Sequence, residues 1–401
     1  MGGNAFHSLH GRAFPRMPPP VYASLKTRLL PRIQDLYENV TVPFEAPEKA
    51  DYGDLDFLVF GPKLPTENGE PHVPHDQVKA ALGAEHCVVM DGPRTSNYAV
   101  PVPKGEWASL GLPEEEARCR REAVVEGRDE IDGELFYQVD VHVCADLGEW
   151  KNFAFFHAYG DLGMILGLIA RNNGYLLSPK GFKIYDAPNP SFQLSNDFDD
   201  IMSFWGLSMD AWRAGFPSKS AIFDWVAQTR FFDPNNFKTR GEGFTKVKPE
   251  RRMYAEFVEY AQSRADPTLA LSPTETLARV MQRRGEALDH FGLTGTFNTL
   301  ARERDERARL KVYFSGGRVR DWASMGEHWK GVKLIMDEVR AECGGDSGVL
   351  ELLDLQGVDG LRLKVLQARD RLGLLPVDKL PSASDILSES MSRLRVTGDD
   401  E

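Results

Sequence analysis

The 401-residue sequence predicts an α+β (α/β) chain in which strands and helices mix up to about residue 150 and helices dominate beyond it. Three observations carry this expectation. Residues 55–60 form a short, largely apolar run closed by Gly61-Pro62, the pattern of a buried strand ending in a turn. Residues 135–144 alternate with a period of two: Phe136, Gln138, Asp140 and His142 fall on one side, and Tyr137, Val139, Val141 and Val143 on the other. From about Lys151 the apolar residues recur at helical spacing instead.

Taken in order, residues 21–39 place Leu25, Leu29, Leu30, Ile33 and Leu36 near the helical period, with Pro18 to Pro20 punctuating the start and Pro31 bending or restarting the helix. The strand at 55–60 follows. A short helix is expected over 77–82, then strands over 86–90 and 98–102 with a Gly92-Pro93 turn between them, then the alternating strand at 135–144. Helices are expected over 160–172, 220–229, 250–264, 273–290 and 299–310, while 194–206 carries a polar cluster. Residues 238–252 hold six Lys or Arg with two glycines and one proline, which reads as a basic linker. These shifts divide the chain into 1–150, a helical domain over 151–237, a helical C-terminal region over 238–380, and a polar tail at 381–401 expected to be mobile.

Composition bounds the function classes. With 42% hydrophobic and 27% charged residues the chain is an ordinary globular one. A net charge of −12 argues against a surface that binds nucleic acid everywhere by counterion release and leaves room for a local basic groove. Four cysteines, Cys87, Cys119, Cys144 and Cys343, lack C-x-x-C spacing and read as reduced thiols. No stretch has the apolar run of a signal peptide near the start, or of a membrane span later, so the expected location is the cytoplasm or nucleus.

The sharpest signal is Asp51-Tyr52-Gly53-Asp54-Leu55-Asp56-Phe57-Leu58-Val59. Residues two apart on a strand share a face, so Asp54 and Asp56 project together while Leu55, Phe57 and Val59 anchor the other face in the core. Two adjacent anions invite a hard cation, and Mg²⁺ prefers oxygen ligands. Transfer of a phosphoryl group needs charge neutralised at the attacking and leaving oxygens, which two Mg²⁺ ions about 3.5–4 Å apart accomplish. Asp140 is the candidate third carboxylate, and Gly53 would let phosphates approach the backbone. The plain alternative for such a D-x-D is a solvated pair capping a turn.

Gly53-Asp54-Leu55-Asp56-Phe57-Leu58-Val59, followed by Val139-Asp140-Val141, resembles the G-D-h-D-h plus h-D-h motif of DNA polymerase beta-type nucleotidyltransferases. His157-Ala158-Tyr159-Gly160-Asp161-Leu162-Gly163 with residues 165–171, and Phe231-Phe232-Asp233-Pro234, resemble a branch of that superfamily found among phages, large DNA viruses and fungi. The resemblance spans residues 1–257. It implies a polymerase-beta-like mixed sheet flanked by helices, a nucleotide pocket over 151–237, an NTP substrate, and Mg²⁺ held by Asp54, Asp56 and Asp140 for transfer to an acceptor hydroxyl, an RNA 3′ end being the preferred acceptor. One departure is that no Gly-Ser pair precedes Asp54, so Gly2 and Gly3, in Gly2-Gly3-Asn4-Ala5, stand as the substitute.

Other cations near the D-x-D, Lys49, Lys63, Arg12 and Arg16, are candidate triphosphate contacts, each weighed against a plain surface charge. His142 is either a base beside Asp140 or a partly buried strand histidine. The run Ser195-Asn196-Asp197-Phe198-Asp199-Asp200, and Asp161, are expected to cap helices. Lys238, Arg240, Lys246, Lys248, Arg251 and Arg252, interleaved with Phe237, Phe244 and Tyr254, would suit a polynucleotide backbone with stacked bases, or simply a solvated linker. Residues 311–340 faintly resemble the C-terminal arm of tRNA-nucleotidyltransferases. Two rival functions stand beside transfer to RNA: a catalytically silent nucleotide or RNA binder, and a transferase acting on a small molecule or a protein hydroxyl.

Overall fold

The computed structural model describes residues 5–6, 13–64, 72–124, 133–237 and 251–376. Helix α1 (Pro19–Gln34) starts with proline in its first turn, where a missing N–H costs nothing, and buries Val21, Tyr22, Leu25, Leu29 and Ile33 along one face. It ends before residue 39, because Tyr37–Thr41 leaves the helix as strand β1. Then come β2 (Leu55–Pro62), α2 (His75–Leu82), β3 (His86–Val88), β4 (Thr95–Pro101), α3 (Glu106–Ser109), α4 (Pro113–Glu122) and β5 (Phe136–Val143). The five strands form one mixed sheet in the order β1-β2-β5-β4-β3, in which β2 and β5 run parallel and the other pairs antiparallel.

The period-two reading of β2 and β5 holds in three dimensions. Leu55, Phe57 and Val59 join Tyr137, Val139, Val141 and Val143 in one buried cluster with the apolar face of α1 and with Val78 and Leu82 of α2. Full burial of side chains of this size stabilises by roughly 1.5–3 kcal/mol each. That is enough to fix strand register, since a slip of one residue would carry the whole apolar row into solvent. On the opposite face, Phe136 and Ala99 pack with Phe6, Ala13 and Phe14, so these three residues lie over the face that carries Asp140.

The segment from 151 to 237 is not wholly helical. After α5 (Leu147–Phe156) and α6 (Leu162–Asn172), three four-residue strands, β6 (Tyr175–Ser178), β7 (Gly181–Ile184) and β8 (Phe192–Ser195), form a small antiparallel sheet. Helices α7 (Phe198–Trp205), α8 (Met209–Ala214), α9 (Lys219–Ala227), α10 (Arg252–Gln262) and α11 (Pro273–His290) follow.

The chain divides into two compact units at Leu293/Thr294, so α10 and α11 group with the sheet domains and not with the C-terminal region expected to begin at 238. The second unit holds α12 (Thr294–Tyr313), α13 (Gly316–Ala323), α14 (Trp329–Cys343) and α15 (Asp346–Arg371) around its own core, including Val319, Ile335, Val339, Leu361 and Val365. Within α15, Gly357 adopts φ 67°, a left-handed conformation that breaks the helix into two apolar stretches. The expected tail at 381–401 lies outside the described residues. Among the described residues, no helix is long and apolar enough to cross a membrane.

Candidate active site

Parallel pairing sets Asp56 of β2 directly beside Asp140 of β5, and antiparallel pairing sets Asn97 of β4 beside Asp140 on its other side. One polar row therefore crosses the middle of the sheet. Asp54 precedes β2 by one residue and is close enough for its charge to act on both Asp56 and Asp140. The segment before it is held in place: Met17 and Tyr52 exchange backbone hydrogen bonds at 2.7 and 2.9 Å. The Tyr52 ring stacks on Tyr22 of α1 with centroids 3.9 Å apart. Gly53 is buried in the bend leading to Asp54.

Asp56 is exposed to solvent, although many protein atoms lie around its carboxyl. That crowding, together with the negative charges of Asp54, Asp140 and Glu45, pushes its carboxyl well above the usual carboxylate range, with Lys49 partly offsetting them. Burial and the Asp54 charge push Asp140 up to about 6, although hydrogen bonds favour its charged form. Those bonds come from Asn97 Nδ2 at 2.7 Å and Gln138 Nε2 at 3.0 Å. Asp54, Asp56 and Asp140 do not form a set of oxygens all within 4.8 Å of one another; among the described residues that spacing is reached by His72, His75 and Asp91.

Of the candidate cations, Lys49 belongs to the site. Its Nζ donates to Glu45 at 2.7 Å and sits 4.4 Å from the centre of the Tyr52 ring, while Tyr22 donates its hydroxyl to the same Glu45 at 2.6 Å. Lys63 follows the last residue of β2, so at roughly 3.3 Å per strand residue its backbone lies about 23 Å from that of Asp56, at the far end of the strand. Arg16 pairs with Asp51 beside the entry to Asp54. Gly2, Gly3 and Arg12 lie outside the described residues, as do Lys238, Arg240, Phe244, Lys246 and Lys248 of the basic run. A cleft of about 490 Å³, lined by Phe14, Arg16, Asp51, Arg118 and Glu122 among others, adjoins the approach to Asp54 without including the three carboxylates. Its arginines are paired, Arg16 with Asp51 and Arg118 with Glu115 and Glu122.

His142 lies one row further along the sheet. Its Nδ1 is 2.9 Å from the Thr95 hydroxyl, its ring stacks on Phe153, and burial lowers its pKa, all features of the partly buried strand histidine. Asp197 caps α7 as expected, accepting from the amides of Asp199 and Asp200 at 2.8 and 3.3 Å. Asp161 does not cap its own helix. Its carboxylate instead accepts from Arg251 at 2.7 Å and from the Tyr254 amide at 3.2 Å, satisfying an otherwise open N–H in the first turn of α10.

Glu45, Asn97 and Gln138 escaped the sequence reading. Gln138 shares a period-two face with Asp140, which was a usable signal; Asn97 and Glu45 become visible through strand pairing and the 45–52 loop, which spacing does not encode. Neither a comparison with protein-family models nor one with curated proteins finds a match for this chain.

Proposed function

We propose that the chain is a Mg²⁺-dependent nucleotidyltransferase that moves a nucleoside monophosphate from an NTP to an acceptor hydroxyl, with an RNA 3′ end as the preferred acceptor. The observation that carries this reading is the β2–β5 register, which sets Asp56 beside Asp140 with Asp54 at the same end of β2. The donor chemistry suits the ion, since it consists of hard carboxylate oxygens at a place where mutual repulsion already disfavours full ionisation, and side-chain movement on binding would have to bring the three together. Mg²⁺ would supply charge neutralisation at the triphosphate and at the attacking and leaving oxygens.

The protein's own groups divide the remaining work. Asp54 and Asp56 hold the cations at the strand opening, and the Met17–Tyr52 pairing keeps that opening from shifting. Asp140, oriented by Asn97 and Gln138, takes the proton of the acceptor hydroxyl as its oxygen bonds to the α-phosphorus. The bond from that phosphorus to the bridging oxygen breaks, and its electron pair leaves with pyrophosphate. Lys49 is the cation for the triphosphate, because its charge already reaches Asp56.

The test is Mg²⁺-dependent transfer of label from each of the four NTPs to total cellular RNA, comparing the wild type with Asp54→Ala/Asp56→Ala. Transfer with pyrophosphate release by the wild type, lost by at least about a thousandfold in the double variant, is expected for removal of principal charge-stabilising groups. A second reading is favoured by the hold of Asn97 and Gln138 on Asp140: a nucleotide or RNA binder without turnover. It takes the lead if wild type and variant are equally inert while NTP still binds. Neither binding nor transfer would sink both. A labelled small molecule or protein in place of RNA would reassign the acceptor.

A further inference from the structure

A second cluster lies beside β4, formed by residues that flank the strands of the sheet. His72 is buried, His75 opens α2, and Asp91 lies in the loop between β3 and β4, and one ligand-type atom from each lies within 4.8 Å of the others. The two imidazole rings stack with centroids 4.9 Å apart, and His75 Nε2 is already 3.3 Å from an Asp91 carboxylate oxygen.

The surroundings are those of a prepared metal site. His75 Nδ1 is 3.3 Å from the buried Tyr98 hydroxyl, which orients the ring so that Nε2 faces Asp91. Ligating histidines are usually held in this way through the second ring nitrogen, fixing tautomer and direction. Between the two histidines, Val73 is buried in the sheet's core and donates its amide to the Tyr37 hydroxyl at 3.1 Å, so the 72–75 backbone is anchored. On the other side the Met90 amide donates to the buried Ser96 hydroxyl at 3.0 Å, anchoring the loop beside Asp91.

We propose that His72, His75 and Asp91 bind a divalent transition metal of the Zn²⁺ type, tying the start of α2 to the β3–β4 loop. Two imidazoles and one carboxylate suit Zn²⁺ and its neighbours and do not suit Mg²⁺, which selects all-oxygen sets. A tetrahedral ion at about 2.0–2.2 Å from each ligand needs ligand atoms roughly 3.3–3.6 Å apart. The His75–Asp91 pair has that spacing, and the other ligand atoms lie within 4.8 Å, so binding would draw them inward. A solvent molecule would complete the fourth position. The site is independent of nucleotidyl transfer.

The test uses the full chain, stripped with a chelator and dialysed. Zn²⁺ binding is measured by calorimetry and by competition with a chromophoric chelator, and Co²⁺ by its visible absorption. One Zn²⁺ per chain, not displaced by millimolar Mg²⁺, is expected, with intense Co²⁺ bands showing a four-coordinate site. Asp91 is exposed, so Asp91→Ala leaves the fold intact and should weaken Zn²⁺ by at least about tenfold, while His75→Ala removes measurable binding. Asp54→Ala/Asp56→Ala should leave the Zn²⁺ affinity unchanged. Absence of binding by the wild type, or affinity that both His75→Ala and Asp91→Ala leave unaltered in folded protein, overturns the proposal and returns the cluster to a plain histidine–aspartate pair.

Discussion

Asp140 works against the stability of the metal-free protein. A carboxyl whose pKa rises on folding binds its proton more tightly in the folded chain. It therefore opposes folding as pH climbs above its unfolded value of about 3.9, and the cost is complete above about 6. Asp140→Asn keeps an acceptor for Asn97 and Gln138 while removing the charge. Urea unfolding of the metal-free variant at pH 7.5 should give a stability gain on the order of 1–2 kcal/mol, after discounting for the accessible side of the carboxylate, shrinking towards pH 4. A variant less stable than wild type at pH 7.5 would contradict this account. At this scale the sequence was informative about which residues share a strand face, as with Gln138, Asp140 and His142 of β5. It was silent where a residue acts through a neighbouring strand or loop, as with Asn97 and Glu45, because period-two spacing encodes the face and not the partner.

Among the elements, α4 shows why some helices were missed. Pro113–Glu122 has almost no apolar period, because what it buries beside Cys119 is an ion pair. Glu116 accepts from the amides of Gly105 and Ala108 at 2.8 and 3.0 Å and from Arg120, and Arg120 donates onward to the Val102 and Pro103 carbonyls. Burial alone would raise the Glu116 pKa, but these bonds outweigh it and hold the carboxyl below its usual range. Its stabilising contribution is present above the unfolded pKa and is lost as pH falls through the lower folded one. Glu116→Ala leaves the Arg120 guanidinium buried without its counter-charge and should cost about 3–5 kcal/mol, read from the urea midpoint. A loss below about 1 kcal/mol would mean that the carbonyls suffice. The other misses have equally local causes. Tyr37–Thr41 follows directly on the helical period that Leu36 extends beyond α1, and β6, β7 and β8 are four residues each, too short for alternation to register.

At the scale of the molecule, the α+β class and the change towards helix were legible because they rest on periodicity summed over many residues. The division at Leu293/Thr294 was not, because helices on both sides of it carry similar patterns and the basic run at 238–252 drew the boundary earlier. The second unit has its own core and its own ion pairs, Lys364 with Glu342 at 2.9 Å and Arg340 with Asp346 at 2.6 Å. Residues 294–376 expressed alone should therefore show a helical far-ultraviolet spectrum and a cooperative melt. A chain that stays unfolded would show that the second unit depends on the first.

The pairing of β2 with β5 has a consequence for how this gene product tolerates change. Substituting Asp56 or Asp140 removes one carboxylate and leaves the apolar row beneath it untouched, so such variants should be folded and, under the proposed function, lack transfer. Deleting a single residue inside β5, ahead of Asp140, would exchange the two faces of everything that follows within the strand, turning Asp140 into the core and Val141 out of it. Point substitutions and single-residue deletions at this position should therefore separate cleanly in a solubility screen. In this sheet the reading frame of the strand, more than any one side chain, is what chemistry and folding share.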